Sequence, residues 1–292
     1  AAANSAGISG SLSFSSGTAS SGSPGAVTVG TGDALGGRAG ALFVAVGTGN
    51  SGAGGSLALL AGTADAETGG MVSLYGGYGS LSSSGAVAVR TPNAGADGVS
   101  GQLTLSSGTA SSGSSGRVLL GSGKSLGGRG GAMHLFVGEG DSGAGGDVAV
   151  FAGASSAETG GSVTVYTGEG SRSSSGAFVV RTLDAGSSGL SGMLSFSSGE
   201  ATSESSGSIL LGTGAALGGR GGSVHVTVGT GNSGAGGDAL LLAGKSTAET
   251  GGQLHLYSGY SSRTTSGVVA VRTLDAGSKG VSGMLLMSSG LA

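Results

Sequence analysis

The stretch Gly222-Ser223-Val224-His225-Val226-Thr227-Val228-Gly229 sets the pattern of the whole chain. Valines alternate with polar residues, and this period of two is typical of a β-strand whose two faces differ. The glycines at both ends are typical of positions at which a chain turns. The stretch therefore predicts a short strand between two corners.

The same pattern recurs nineteen times along the 292 residues. Numbered from its opening glycine, each unit is 15 residues long, except that every sixth unit has 16, so that six units make a long repeat of 91 residues. Such a fixed period is the signature of a stacked repeat protein. We predict one continuous array over residues 1–292, with long repeats at 10–100, 101–191 and 192–282 and partial repeats at 1–9 and 283–292. The opening glycines are Gly10, Gly25, Gly40, Gly55, Gly70, Gly85, Gly101, Gly116, Gly131, Gly146, Gly161, Gly176, Gly192, Gly207, Gly222, Gly237, Gly252, Gly267 and Gly283.

Positions +2 and +4 after the opening glycine are apolar in every unit, and position +9 is always Ala, Gly or Ser. This arrangement predicts a strand with two inward side chains and a return segment with small inward residues. The predicted fold is all-β, a parallel β-solenoid of about nineteen 15-residue coils. The alternative is a solenoid of 30-residue coils with two strands each.

Charge favours the short coil over a 91-residue coil. The longer coil would stack Arg38, Arg129 and Arg220 about 4.8 Å apart, and like charges directly opposed destabilise a sheet. A 15-residue coil separates them by about 29 Å, beyond the Debye length of about 8 Å. A 30-residue coil separates them as well. An antiparallel meander is disfavoured, because no Asn-Gly or Asp-Gly dipeptide stands between strands as a two-residue turn.

One set of residues argues against the short coil. A 15-residue coil would place Glu169, Asp184 and Glu200 on consecutive acidic rungs. Whether these carboxylates instead hold a cation is left open.

Composition excludes several classes of protein. The chain has 70 glycines, 9% charged residues, two prolines, no cysteine and a net charge of −3. There is no Gly-X-Y period for collagen, no disulfide framework, and no basic footprint for nucleic acid. No apolar run is long enough for a membrane span.

Motifs that suggest chemistry lack the required context. Gly47 to Gly52 matches a dinucleotide-binding pattern, but another predicted strand follows it instead of a helix. The three histidines, His134, His225 and His255, occupy outward position +3 of their units. The pair Arg181 and Asp184 is copied as Arg272 and Asp275, which favours a structural role over a single active site. We predict no enzyme, no catalytic, cofactor-binding or metal-binding residues, and no cofactor.

Outward apolar residues recur once per long repeat, for example Tyr75, Tyr166 and Tyr257. Regular apolar patches indicate assembly surfaces, so we expect a homo-oligomer or filament of identical chains. Serine and threonine are abundant in the return segments, which permits O-linked glycans, whereas no Asn-x-Ser/Thr sequon exists.

The phrases GVSGQLTLSSGTASSGSSG (98–116) and GGSVHVTVGTGNSGAGG (221–237) resemble the Gly/Ser/Val-rich tandem-repeat proteins of algae and related protists. The resemblance implies a secreted, surface or fibrous protein. Both termini fall inside a repeat, so we expect a window of a longer array or a protomer capped by other copies. The expected function is a structural repeat segment of an extracellular fibre, filament or surface coat. The alternative is the binding module of a β-solenoid adhesin or of an ice- or carbohydrate-binding protein, although the Thr ladders of an ice-binding face are absent.

Overall fold

The computed structural model describes residues 9–290, so nearly all of the first partial repeat, together with Leu291 and Ala292, lies outside the described residues. Within residues 9–290 there is no helix and no strand. The backbone is an alternation of two kinds of segment. We call positions 0 to +7 of each unit the arm and the remaining positions the link, and we number the arms of each long repeat from first to sixth.

Every link turns at a fixed place. In each 15-residue unit whose link lies among residues 9–290, the backbone bends at positions +10 to +12, as at residues 35–37 and 247–249. The 16-residue units differ, because their links contain a hydrogen-bonded β-turn over residues 95–98, 186–189 and 277–280, with N···O distances of 3.2, 3.3 and 3.0 Å. The single additional residue is therefore accommodated by a tighter turn.

The two ends of each link lie close together. A Cβ placed on Gly40 would lie 3.4 Å from Thr31 Cβ, and one placed on Gly131 would lie 3.2 Å from Ser122 Cβ. In both cases the opening glycine faces position +6 of the preceding arm. The chain therefore enters and leaves a link at nearly the same point, and a residue larger than glycine would crowd it.

The predicted β-solenoid is wrong in both of its forms. A solenoid requires backbone hydrogen bonds between residues one coil apart, which is 15 or 30 residues here. The nine backbone–backbone hydrogen bonds within residues 9–290 join residues three or eight positions apart. The physical reason is that period-two alternation specifies the two faces of a strand without specifying which chain segment pairs with its edge.

The described residues form no hydrophobic core, because none of them is buried. The accessible surface of the chain is 29407 Å², whereas a folded monomer of 26.7 kDa exposes about 11,000 Å². The expected difference between the two faces of an arm is present in some arms and absent in others, since Leu12 and Phe14 at the predicted inward positions are both 82% exposed. In the arm that begins at Gly116, Val118 is 51% exposed and Leu119 is 82% exposed.

The chain divides into two units, Ala1–Val148 and Ala149–Ala292. Both units contain the same arms and links, and equivalent hydrogen bonds recur at the 91-residue spacing of the sequence. The single continuous array stays a prediction.

Candidate functional site

Three polar side chains form a contiguous row on the fifth arm of the third long repeat. The hydroxyl of Tyr257 lies 3.1 Å from His255 Nδ1, and His255 Nε2 lies 2.7 Å from Gln253 Oε1. The Tyr257 and His255 rings are stacked, with centroids 5.6 Å apart and an interplanar angle of 12°. Because contacts between residues two apart need side chains on one face, this arm is locally extended.

The hydrogen bonds fix the chemistry that this row can perform. Gln253 Oε1 accepts hydrogen bonds only, so His255 Nε2 carries a proton and donates it. In the neutral ring, Nδ1 then accepts from the Tyr257 hydroxyl. The row is exposed and contains no carboxylate or second imidazole, so it orients side chains without forming a catalytic pair or a metal site.

The acidic residues do not gather into a cation site. Among residues 9–290, no group of three or more His, Asp or Glu side chains is placed to hold a metal ion. Glu169, Asp184 and Glu200, for which the sequence left a cation open, form no such group in the described part of the chain.

The dinucleotide-like motif at 47–52 and its copies at 138–143 and 229–234 are turns. Their last glycines, Gly52, Gly143 and Gly234, have φ values of +89°, +87° and +86°, a backbone conformation that glycine adopts without steric cost. No helix follows any of them within the described residues, so there is no helix N-terminus to receive a phosphate. Gly123-Lys124-Ser125 resembles the end of a phosphate-binding loop, but Ser125 Oγ accepts the Gly128 N–H of its own link at 3.0 Å.

An open cavity of about 380 Å³ is lined by Arg90, Thr91, Pro92 and Asn93. This lining offers one cation and no pairing of a nucleophile with a base. The proline at this position is Leu183 and Leu274 in the other long repeats.

The fifth arms of the three long repeats share the same backbone hydrogen bonds at both of their ends. Each lies between two links closed by backbone hydrogen bonds. In the first long repeat the Gly70 N–H donates to Gly62 O at 2.8 Å, and the Gly85 N–H donates to Gly77 O at 2.7 Å. The equivalent bonds in the other two long repeats are Gly161 to Gly153, Gly176 to Gly168, Gly252 to Gly244 and Gly267 to Gly259, at 2.8 to 2.9 Å.

Sequence reasoning missed the close approach of the two link ends, although a signal for it exists. Position +6, which faces the next opening glycine, carries only Gly, Ala, Ser, Thr or Val in all nineteen units. Small or β-branched residues at that column are what a close approach of the two link ends requires.

No protein family, curated protein or solved structure matches this chain. Separately, residues 9–290 include no helix that is long and apolar enough to cross a membrane.

Proposed function

We propose that this chain is a structural segment of an extracellular fibre, filament or surface coat, and that identical copies associate through their arms. One observation carries the proposal. The two large apolar columns of the arms are regular in sequence yet exposed, as at Leu254 (56%) and Leu256 (66%). Exposed apolar surface arranged on a regular repeat is typical of an association surface.

The area available is sufficient for stable association. Nineteen arms carry two apolar side chains each at positions +2 and +4. Burying one Val- or Leu-sized side chain removes roughly 60 to 120 Å² from water at about 25 cal/mol/Å². Even the lower figure gives about 2,300 Å² per chain, compared with roughly 800 Å² per partner in a standard interface.

The backbone supports the same conclusion. The backbone hydrogen bonds within residues 9–290 close links or turns, so the arms do not pair with one another. Extended segments with unpaired N–H and C=O groups are templates for pairing with another chain. A second copy of this chain offers the same spacing of arms and glycines.

The proposed location outside the cell rests on the resemblance to Gly/Ser/Val-rich tandem-repeat proteins and on composition. A chain with 9% charged residues and no cysteine neither binds polyanions through a basic surface nor depends on disulfides. The links carry serine and threonine clusters, such as residues 202–206, and we propose these as positions for O-linked glycans.

Sedimentation velocity over a concentration series, with negative-stain electron microscopy of the same samples, tests the function. We expect a critical concentration above which elongated assemblies form, with a 4.7 to 4.8 Å cross-strand reflection in aligned material. A chain that stays monomeric at millimolar concentration would overturn the proposal.

A further inference from the structure

We propose that the three fifth arms, residues 70–77, 161–168 and 252–259, are the docking sites at which a second copy of this chain pairs first. The inference rests on the proposed self-association and specifies where it starts. The partner is the same arm of another chain, so that the contact is between identical sequences.

The fifth arms are held at both ends. The fourth arm has a closing backbone bond only at its end and the sixth only at its beginning, while the first three have none within the described residues. An arm fixed at two points loses less conformational freedom when a partner binds. Pairing therefore has a smaller entropic cost at the fifth arms than at any other arm.

One fifth arm is already locally extended. The contacts from Gln253 to His255 to Tyr257 place three alternate side chains on one side of the backbone. This leaves Leu254 and Leu256 on the opposite side. A second chain meets a preformed polar face and a preformed apolar face.

The sequences of the fifth arms suit pairing between identical segments. They read MVSLYG (71–76), SVTVYT (162–167) and QLHLYS (253–258). All lack charge and proline, and each has a tyrosine at position +5. Short uncharged segments rich in β-branched and aromatic residues form tightly interdigitated sheets with their own copies.

Pairing between fifth arms also avoids the charge repulsion that pairing between sixth arms would cause. The sixth arms contain Arg90, Arg181 or Arg272 at position +5, where the fifth arms have tyrosine. In-register pairing of sixth arms would oppose like charges, which destabilises a sheet. Stacked tyrosines at the same position attract each other.

Lysine substitutions at position +2 test the proposal in the full chain. The test variant carries Val72→Lys, Val163→Lys and Leu254→Lys. The matched control carries Leu12→Lys, Leu103→Lys and Leu194→Lys, which change the same column of the first arms by the same charge. Because the described residues have no core, neither variant fails through loss of a folded interior.

We expect the test variant to increase the lag time of assembly, at one fixed concentration above the critical one, at least about tenfold, the factor associated with loss of one Val-sized side chain from the first contact, and the control to increase it less than about threefold. Equal increases in the two variants would overturn the docking role of the fifth arms and leave the proposed function intact. Failure of the unmodified chain to assemble would overturn the proposed function itself. Hydrogen exchange of early assemblies gives a second readout, in which amides of 161–168 become protected before those of 101–108.

Discussion

Val46 lies directly over Gly55, so that a Cβ placed on Gly55 would come within 2.6 Å of Val46 Cγ1. The relationship recurs one long repeat later between Val137 and Gly146, at 2.8 Å. A valine at position +6 thus covers the next opening glycine, and Val46 is 46% exposed, less than most apolar side chains of the chain. The contact closes the link without a backbone hydrogen bond.

Substitution Gly55→Ala should open this link. The added methyl forces the stiff β-branched Val46 side chain from its rotamer or separates the link ends, at a cost on the order of 1 kcal/mol. We expect the closed population to fall about fivefold, seen as weakening of the nuclear Overhauser effect between Val46 methyls and the Cα protons of residue 55. Gly54→Ala is the control, because a Cβ there meets nothing within 4 Å. An equal loss in both variants would contradict the prediction.

Hydrogen exchange should distinguish the closed links around the fifth arms. The amides of Gly70, Gly161 and Gly252 donate backbone hydrogen bonds, each worth about 0.5 to 1.5 kcal/mol, which corresponds to roughly 2- to 13-fold slower exchange. Gly40, Gly131 and Gly222 occupy the same column without such a bond and serve as internal controls. The measurement is made on the monomer at low concentration. Exchange at one common rate in both sets would show that the links are open.

A serine at position +9 accepts a backbone N–H of the bend in four links, at Ser125, Ser155, Ser246 and Ser261, and it should stabilise that bend. Ser246 Oγ accepts the N–H groups of Ala248 at 3.3 Å and Glu249 at 2.8 Å. Removing this acceptor with Ser246→Ala should speed Glu249 amide exchange by about two- to tenfold, the range expected for one hydrogen bond. The first long repeat supplies the comparison, since Ala64 occupies the equivalent position. The reciprocal change Ala64→Ser should slow exchange at Glu67, and no change in either direction would refute the assignment.

The Tyr257 hydroxyl should set the hydrogen bonding of the His255 ring. Tyr257→Phe removes the donor to Nδ1 but retains the aromatic ring, so we expect Nε2 to keep its proton through Gln253 and Nδ1 to be hydrated instead. The measurement is the nitrogen-15 chemical shifts of the His255 imidazole, and we expect the shift of Nδ1 to change more than that of Nε2. Tyr166→Phe is the control, because the residue two positions earlier is Thr164. Equal shifts at both nitrogens would contradict the assigned tautomer.

The sequence predicted the local backbone features within each unit better than it predicted which backbone segments pair with one another. Glycine corners were expected, and Gly52, Gly143 and Gly234 have positive φ in the links. The two-faced arm was also expected, but both faces are exposed, and the predicted inward residues Leu12 and Phe14 are 82% exposed. Glycine corners are local and follow from residue type and spacing, whereas a difference between two faces requires a partner that covers one of them.

The partner of each arm was not predictable in the same way. Which segment pairs with the edge of a strand depends on which backbone the tertiary structure brings to that edge. The distances between Arg38, Arg129 and Arg220 favoured the 15-residue coil over the 91-residue coil, but they did not test whether coils form. The absence of a catalytic or ligand site among the motifs was argued from context. The structure shows a turn at Gly52 and a local hydrogen bond to Ser125, and the absence of a site stays a prediction.

The β-turn of the 16-residue units has a consequence for how two molecules align. Sliding one molecule by a single unit along its copy would set a sixth link, with its turn at 95–98, against a shorter link that bends without that hydrogen bond. Only displacements by whole multiples of 91 residues match every link to one of its own kind. In the proposed assembly, the additional residue would therefore restrict the stagger between neighbouring molecules to discrete values.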